Sequence, residues 1–272
     1  MVYQGSAGRH GRAWGTNNNV RKYQIALLSI AALGTLGWAV DTAISTTFEH
    51  RLSTQLEDSF NLEVEPAVYI GGFPYLLAAA TRDIPMMSSE VLDVDVPGFG
   101  MMNSRTELRT IEVTPEQVFS GDYTGADVEI AKRTLRLDGV ALGAQLGITD
   151  LDITNPKDIS PQASPQAQAQ LKGTPVGFDQ PVVVLVDLRI HDAEITMRPV
   201  SIIDSPDMEQ AQDPESVRTK IMNSFTWSVD SRDLPLLKQA SQVVCGGGSI
   251  FISSELRQVQ FRPELLSPVG VR

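Results

Sequence analysis

Cysteine and histidine are nearly missing from these 272 residues. The one cysteine, Cys245, excludes an internal disulfide and any cysteine-based zinc site. The three histidines, His10, His50 and His191, form no pair at metal-ligand spacing. Neither H-E-x-x-H nor G-x-S-x-G occurs, so the common metalloprotease and hydrolase motifs are not present. Positive charge is also scarce. The formal net charge is -11, yet residues 1–24 carry Arg9, Arg12, Arg21 and Lys22 and no acid. The rest of the chain therefore sets 18 of the 22 basic residues against all 33 acidic ones. Such a surface repels nucleic acid and disfavours general adsorption to anionic lipid heads, so any lipid binding would have to be through a groove and not a basic patch. A composition of 42% hydrophobic and 20% charged residues fits a folded domain with a real core.

Long apolar runs are equally rare; the chain has one. Residues 1–24 read as a flexible basic tail, and Arg21-Lys22 precede the uncharged stretch Ile25 to Val40, IALLSIAALGTLGWAV. With its flanks this run approaches the length of a membrane span. A cleaved signal peptide and an uncleaved anchor share this pattern. Trp38-Ala39-Val40-Asp41 makes a poor cleavage site, which favours a single-pass anchor over 25–40. The basic flank places the amino terminus in the cytoplasm and the domain of residues 41–272 outside, on the periplasmic side of the cell membrane.

From Asp41 the pattern changes. Ile44, Phe48, Leu52, Leu56 and Phe60 recur every fourth residue, the apolar stripe of an amphipathic helix. Leu62, Val64, Val68 and Ile70 then alternate around Pro66, which suits an edge strand or a bulged one. Gly71-Gly72-Phe73-Pro74 makes a compact turn opening a short helix at Tyr75-Leu76-Leu77. These large side chains either line a pocket mouth or plug the end of the core.

The remainder reads as an antiparallel, strand-rich body with about ten residues per strand. Leu92 to Val96 and Leu108 to Val113 read as strands. Thr114-Pro115-Glu116-Gln117 reads as a helix capping box. Val128-Ile130 and Leu135-Leu137 read as a hairpin turning at Lys132-Arg133. Ala141 to Ile148 is small and apolar, and Leu151 to Ile153 is a short strand. Asn155 to Gly173 reads as an exposed loop or boundary. Val182 to Ile190, Ala193 to Pro199 and the alternating Phe225, Trp227, Val229 are strands, and Val217 to Met222 is a short helix. Leu234 to Val244 reads as a helical turn region stopped by Gly246-Gly247-Gly248, and Ile250–Ile252 with Val259–Phe261 as a last hairpin. Two subdomains or one long sheet both fit.

Little of this suggests catalysis. His191-Asp192 reads as a surface turn. Asp150 and Asp152 flank Leu151 on one strand face, a thin donor set for a divalent cation. The triple glycine lacks the Lys-Ser/Thr of a phosphate loop, and Cys245 reads as a small buried apolar residue. The expectation is a non-enzyme without catalytic residues, metal or cofactor.

The segment Val68 to Leu77, VYIGGFPYLL, with Gly72-Phe73-Pro74-Tyr75-Leu76 at its centre, resembles the LmeA-like phospholipid-binding family of actinobacterial envelopes, linked to control of mannan chain length. Weaker echoes are Leu135 to Val140, Ile153 to Pro156 and Asp233 to Leu236. Thr81-Arg82-Asp83-Ile84-Pro85 departs from the family pattern, and the Gln/Ala-rich loop looks inserted. The resemblance implies an α+β fold: a long twisted antiparallel sheet wrapped around the amphipathic helix, like tubular lipid-binding domains. It also implies binding of phospholipid, phosphoinositides included, or of lipid-linked mannan, in support of lipomannan elongation. Phe48, Leu52, Leu56, Phe73, Tyr75 and Leu76 are the expected lipid lining. The alternative is an accessory that regulates a membrane mannosyltransferase partner without carrying lipid.

Overall fold

The computed structural model describes residues 17–60, 62, 64–96, 99–156, 164–209 and 211–267. Helix α1, Asn17–Phe60, runs unbroken through segments that the sequence reading divides into tail, span and amphipathic helix. The chain forms two compact units, residues 1–44 and 45–272. In the first, side chains 21 to 40 are exposed along an apolar helix. Twenty helical residues extend ~30 Å, the thickness of a bilayer's hydrocarbon core. Thr35 donates its hydroxyl to the carbonyl of Ala31 at 2.8 Å, which hides that polar group inside the helix.

The second unit holds eleven strands among the described residues, all paired antiparallel. One sheet runs in the order β1 (Ala67–Ile70), β2 (Asp83–Val96), β3 (Gly100–Glu112), β4 (Asp127–Asp138), β11 (Ser249–Gln260), β10 (Gln242–Gly246). The other runs β5 (Asp152–Thr154), β6 (Gln166–Gly173), β7 (Val182–His191), β8 (Glu194–Asp204), β9 (Trp227–Asp230). The two meet edge to edge: Val243 N–H of β10 donates to Ser164 C=O, just before β6, at 2.7 Å. The result is one curled α+β architecture. Short helices α2 (Ala78–Thr81), α3 (Pro115–Ser120), α4 (Gly139–Leu146), α5 (Pro206–Glu209) and α6 (Pro214–Ser224) close it, with Leu142 and Ile221 fully buried.

Several sequence expectations are corrected. Lys132-Arg133 is not a turn; β4 crosses it as one strand. Lys132 points to one face and reaches Gln242 Oε1 at 3.1 Å. Arg133 points inward and is fully buried. Its Nε–H donates to Thr106 Oγ1 at 2.9 Å, and its other nitrogens donate to the carbonyls of Pro235, Leu265 and Ser267 at 3.3, 3.0 and 2.6 Å. Burial lowers its pKa to about 10, so it remains charged at neutral pH. The final hairpin also lies elsewhere. β11 is continuous from Ser249 to Gln260, and the glycines turn β10 into β11 instead of ending a helix. Residues 234–241 hold no helix and Val243 and Val244 lie on β10, so Leu234 to Val244 is not a helical region. Ala141 to Leu146 belongs to α4, capped by Asp138, whose carboxylate accepts from Val140 and Ala141 N–H at 3.0 and 2.9 Å. Part of the Gln/Ala-rich segment, Gln166–Gly173, is strand β6; Ala169 and Leu171 supply its buried face. Residues 157–163 and the Pro97-Gly98 turn lie outside the described residues. The capping box at Thr114 is present: Thr114 Oγ1 accepts from Gln117 N–H at 3.3 Å, and Gln117 Oε1 accepts from Thr114 N–H at 2.9 Å.

Arg133 belongs to a polar row. Ser89 of β2 faces Thr106 of β3, Thr106 faces Arg133 of β4, and Arg133 faces Ser254 of β11; all four are buried. On one side stand Met87, Leu108 and Ala131. On the other, Val91, Leu135 and Ile252 begin a contiguous core that continues through β6, β7 and β8.

Candidate functional site

The site lies on the Met87–Leu108–Ala131 side of that row, where the second half of α1 meets the edge strand β1. An unpaired strand edge leaves N–H and C=O groups unmet. Here α1 meets two of them. Glu49 Oε1 accepts the Ile70 N–H at 2.8 Å, and the Ser53 hydroxyl donates to the Pro66 carbonyl. The docked helix buries its stripe, with Phe48, Leu52 and Leu56 all inaccessible or nearly so.

The glycine turn fits beside it. Gly71 N–H donates to Met86 C=O at 2.7 Å, and a Cβ on Gly71 would sit 3.0 Å from that same oxygen. Gly72 adopts φ +109°, a region that side chains rarely enter. The turn sends Tyr75 inward and Phe73 outward. The Tyr75 ring lies 5.8 Å from the Phe48 ring. Its hydroxyl donates to the Val118 carbonyl at 2.6 Å and accepts from the Tyr123 hydroxyl at 2.8 Å. Tyr123 stands edge-on to Phe261 at 6.0 Å. Burial, then the bond to Tyr75, raises the Tyr123 pKa and keeps the pair neutral. Arg51 sits 5.7 Å over the Phe48 ring, a cation–π contact at the rim.

The six expected lining residues thus take different places. Phe48, Leu52, Leu56 and Tyr75 are buried, Leu76 is half-buried, and Phe73 is exposed. Both readings of the turn apply to different side chains: Tyr75 plugs the core, while Phe73 and Leu77 edge a hollow of ≈ 220 Å³ floored by Ile84 and Pro85. That hollow shares Thr81 and Asp83 with a polar groove of ≈ 750 Å³, whose walls include Arg82, Glu112, Glu116 and Asp127. Sequence reading passed over this groove. Its signal was Thr81-Arg82-Asp83, seen only as a departure from the family pattern; Arg82 takes φ 58° there and turns α2 into β2.

The tempting chemical groups lie elsewhere. Asp150 accepts from Thr174 N–H and Oγ1–H, each at 2.8 Å, and these bonds hold its carboxyl below the usual range. It precedes β5 and serves the Thr174 turn, while Asp152 lies on the strand. His191 and Asp192 approach to 3.3 Å on the β7–β8 turn with both side chains open to water. Among the described residues no group of three or more His, Cys, Asp or Glu is placed to hold a metal.

The arrangement joins an apolar stripe, an apolar hollow and a polar groove at one end of the domain. No curated protein and no solved structure matches the chain. A family model does match, over residues 39–255, which takes in the stripe, the glycine turn and most of both sheets. The chain belongs to the LmeA-like phospholipid-binding family.

Proposed function

We propose that the domain takes the acyl chain of a phospholipid, or of a lipid-linked glycan, between α1 and the sheet. The observation that carries this reading is the apolar hollow at Phe73–Leu77, set between the buried stripe and the polar groove. A chain entering there meets Tyr75, Phe48, Leu52 and Leu56 in turn, while the head stays at Arg82 and its polar neighbours. At ≈ 220 Å³ the hollow is smaller than the ~300–1,000 Å³ typical of sites that enclose a ligand. It is therefore a mouth, and accommodation requires α1 to part from the sheet. Each methylene buried returns ~0.8 kcal/mol, so one chain offsets a substantial opening cost. The protein acts by binding and not by turnover.

The apolar helix before the domain acts as a single-pass anchor, with Arg21-Lys22 on the cytoplasmic side and the domain in the periplasm. From there it supports lipomannan elongation, the role that the family resemblance implies. Native mass spectrometry and lipid extraction of the purified chain test the binding reading. Retained or exchanged phospholipid is the expected result, lost on Leu56→Asp; a chain that neither retains nor takes up lipid overturns it.

A further inference from the structure

Four large side chains stand out into solvent around the glycine turn. Tyr69, Phe73, Leu77 and Phe119 are 51%, 66%, 52% and 66% exposed. They come from one neighbourhood. A Cβ on Gly71 would lie 3.4 Å from the Tyr69 ring. Tyr75, between Phe73 and Leu77, bonds to the carbonyl of Val118, the residue before Phe119. Helices α2 and α3, which follow Leu77 and carry Phe119, pack together. Scattered single hydrophobes need no explanation, but a group of three aromatics and a leucine at one end of an acidic domain marks a contact surface.

The chain itself limits what that surface meets. Phe48 touches Tyr75, and a Cβ on Gly121 would fall inside its ring, so Phe48 lies directly beneath this end. Phe48 lies eight Cα–Cα steps beyond Val40, the last residue of the apolar run. Eight residues span at most about 29 Å, whatever their conformation. An anchored chain therefore holds this end within reach of the bilayer surface. Aromatic rings with polar tips favour that interface, and Phe and Leu favour the boundary beneath it.

We propose that Tyr69, Phe73, Leu77 and Phe119 form a tip that inserts into the lipid interface and presents the mouth at Phe73–Leu77 directly to the bilayer. This rests on the anchor reading above, but not on lipid being held inside the domain. Insertion lets an acyl chain pass from membrane to hollow without crossing water, and the exposed position of Phe73 is then a working position.

The test uses the full chain in phosphatidylcholine vesicles. Spin labels are placed singly at Phe73→Cys and Phe119→Cys, with Leu33→Cys in the apolar run and Val176→Cys on the β6–β7 loop as references. The native Cys245 is buried, so labelling is confined to the new sites. Labels at 73 and 119 are expected to lose collisions with an aqueous nickel chelate and gain collisions with oxygen, relative to the label at 176. An aqueous reading at either 73 or 119, with the label at 33 inside the bilayer, overturns the tip and leaves the anchor standing. An aqueous reading at 33 overturns the anchor and the tip with it.

Discussion

On the side of the Ser89–Thr106–Arg133–Ser254 row that continues into the second sheet, the interior is filled largely by aliphatic side chains. Val91, Leu135, Ile252, Val184, Val186 and Leu188 lie in one contiguous core, closed by Leu142 and Ile221 from two helices. On the α1 side, apolar burial by Phe48, Leu52, Leu56, Met87 and Leu108 is joined by directional contacts: Glu49 to Ile70, Ser53 to Pro66, and the Tyr75 hydroxyl to Val118 and Tyr123. Aliphatic burial is non-directional and survives small shifts, whereas a hydrogen-bonded plug either fits or leaves polar groups unmet. The difference separates two tasks. On the function proposed above, the aliphatic side sets the stability of the domain, and the α1 side sets how readily it opens to lipid. Arg133 marks the border, clamping β4 to the segment at Pro235 and to the carboxy-terminal turn.

The largest effect should come from the aliphatic side. Leu188→Ala removes a fully buried side chain of that core and should cost about 2–5 kcal/mol in urea denaturation. Lipid uptake per folded molecule should stay unchanged. A loss of uptake beyond the loss of folded protein would erase the division between the two sides.

Gly121→Ala acts on the other side. Gly121 ends α3 at φ 74°, and a Cβ there collides with the Phe48 ring. Overpacking of this kind costs about 1–3 kcal/mol. Because Phe48 is displaced from Tyr75, lipid exchange should also change, unlike in Leu188→Ala. Stopped-flow transfer of a fluorescent phospholipid from vesicles separates the two variants.

How much of this contrast was legible in the sequence depends on the range of the signal. The α1 side was largely readable because its signals are local. The four-residue stripe from Ile44 to Phe60, the glycine turn and the Thr114 capping box each specify structure within a few residues. The border row was read less well. Lys132-Arg133 looked like a turn because two adjacent basic residues are rarely found on a strand with one face in the core. Arg133 is accommodated by carbonyls about a hundred residues or more away in sequence, at Pro235, Leu265 and Ser267. Ser253-Ser254 likewise broke the apolar pattern of β11, yet Ser254 Oγ accepts Leu237 N–H at 3.1 Å. The stripe was readable as apolar, but the exposed position of Phe73 beside the buried Tyr75 was not, since both are large and aromatic and only the turn assigns them to opposite sides.

Tyr75→Phe should have a smaller stability effect. It keeps the ring against Phe48 and removes only the hydroxyl that joins Val118 to Tyr123. The net loss should be about 1 kcal/mol. If the plug gates the hollow, phospholipid exchange should nonetheless accelerate; a slower or unchanged rate would show that opening occurs elsewhere.

Cys245 gives the finest measure of the aliphatic side. It lies in that core on β10, and burial pushes its thiol from 9.0 up to about 11. Below pH 9 the thiol is protonated in both folded and unfolded chains and does not make stability depend on pH. As the pH rises from 9 toward 11, the unfolded chain releases this proton while the folded domain still holds it, so ionisation favours unfolding. The stability of the native protein relative to Cys245→Ala should therefore be constant up to about pH 8 and decline between 9 and 11. Paired urea titrations across that range isolate this group from the opposite trend of Arg133, whose lowered pKa is common to both proteins. A flat difference would mean that the β10 thiol meets water in the folded state, and that the aliphatic side is looser than its burial indicates.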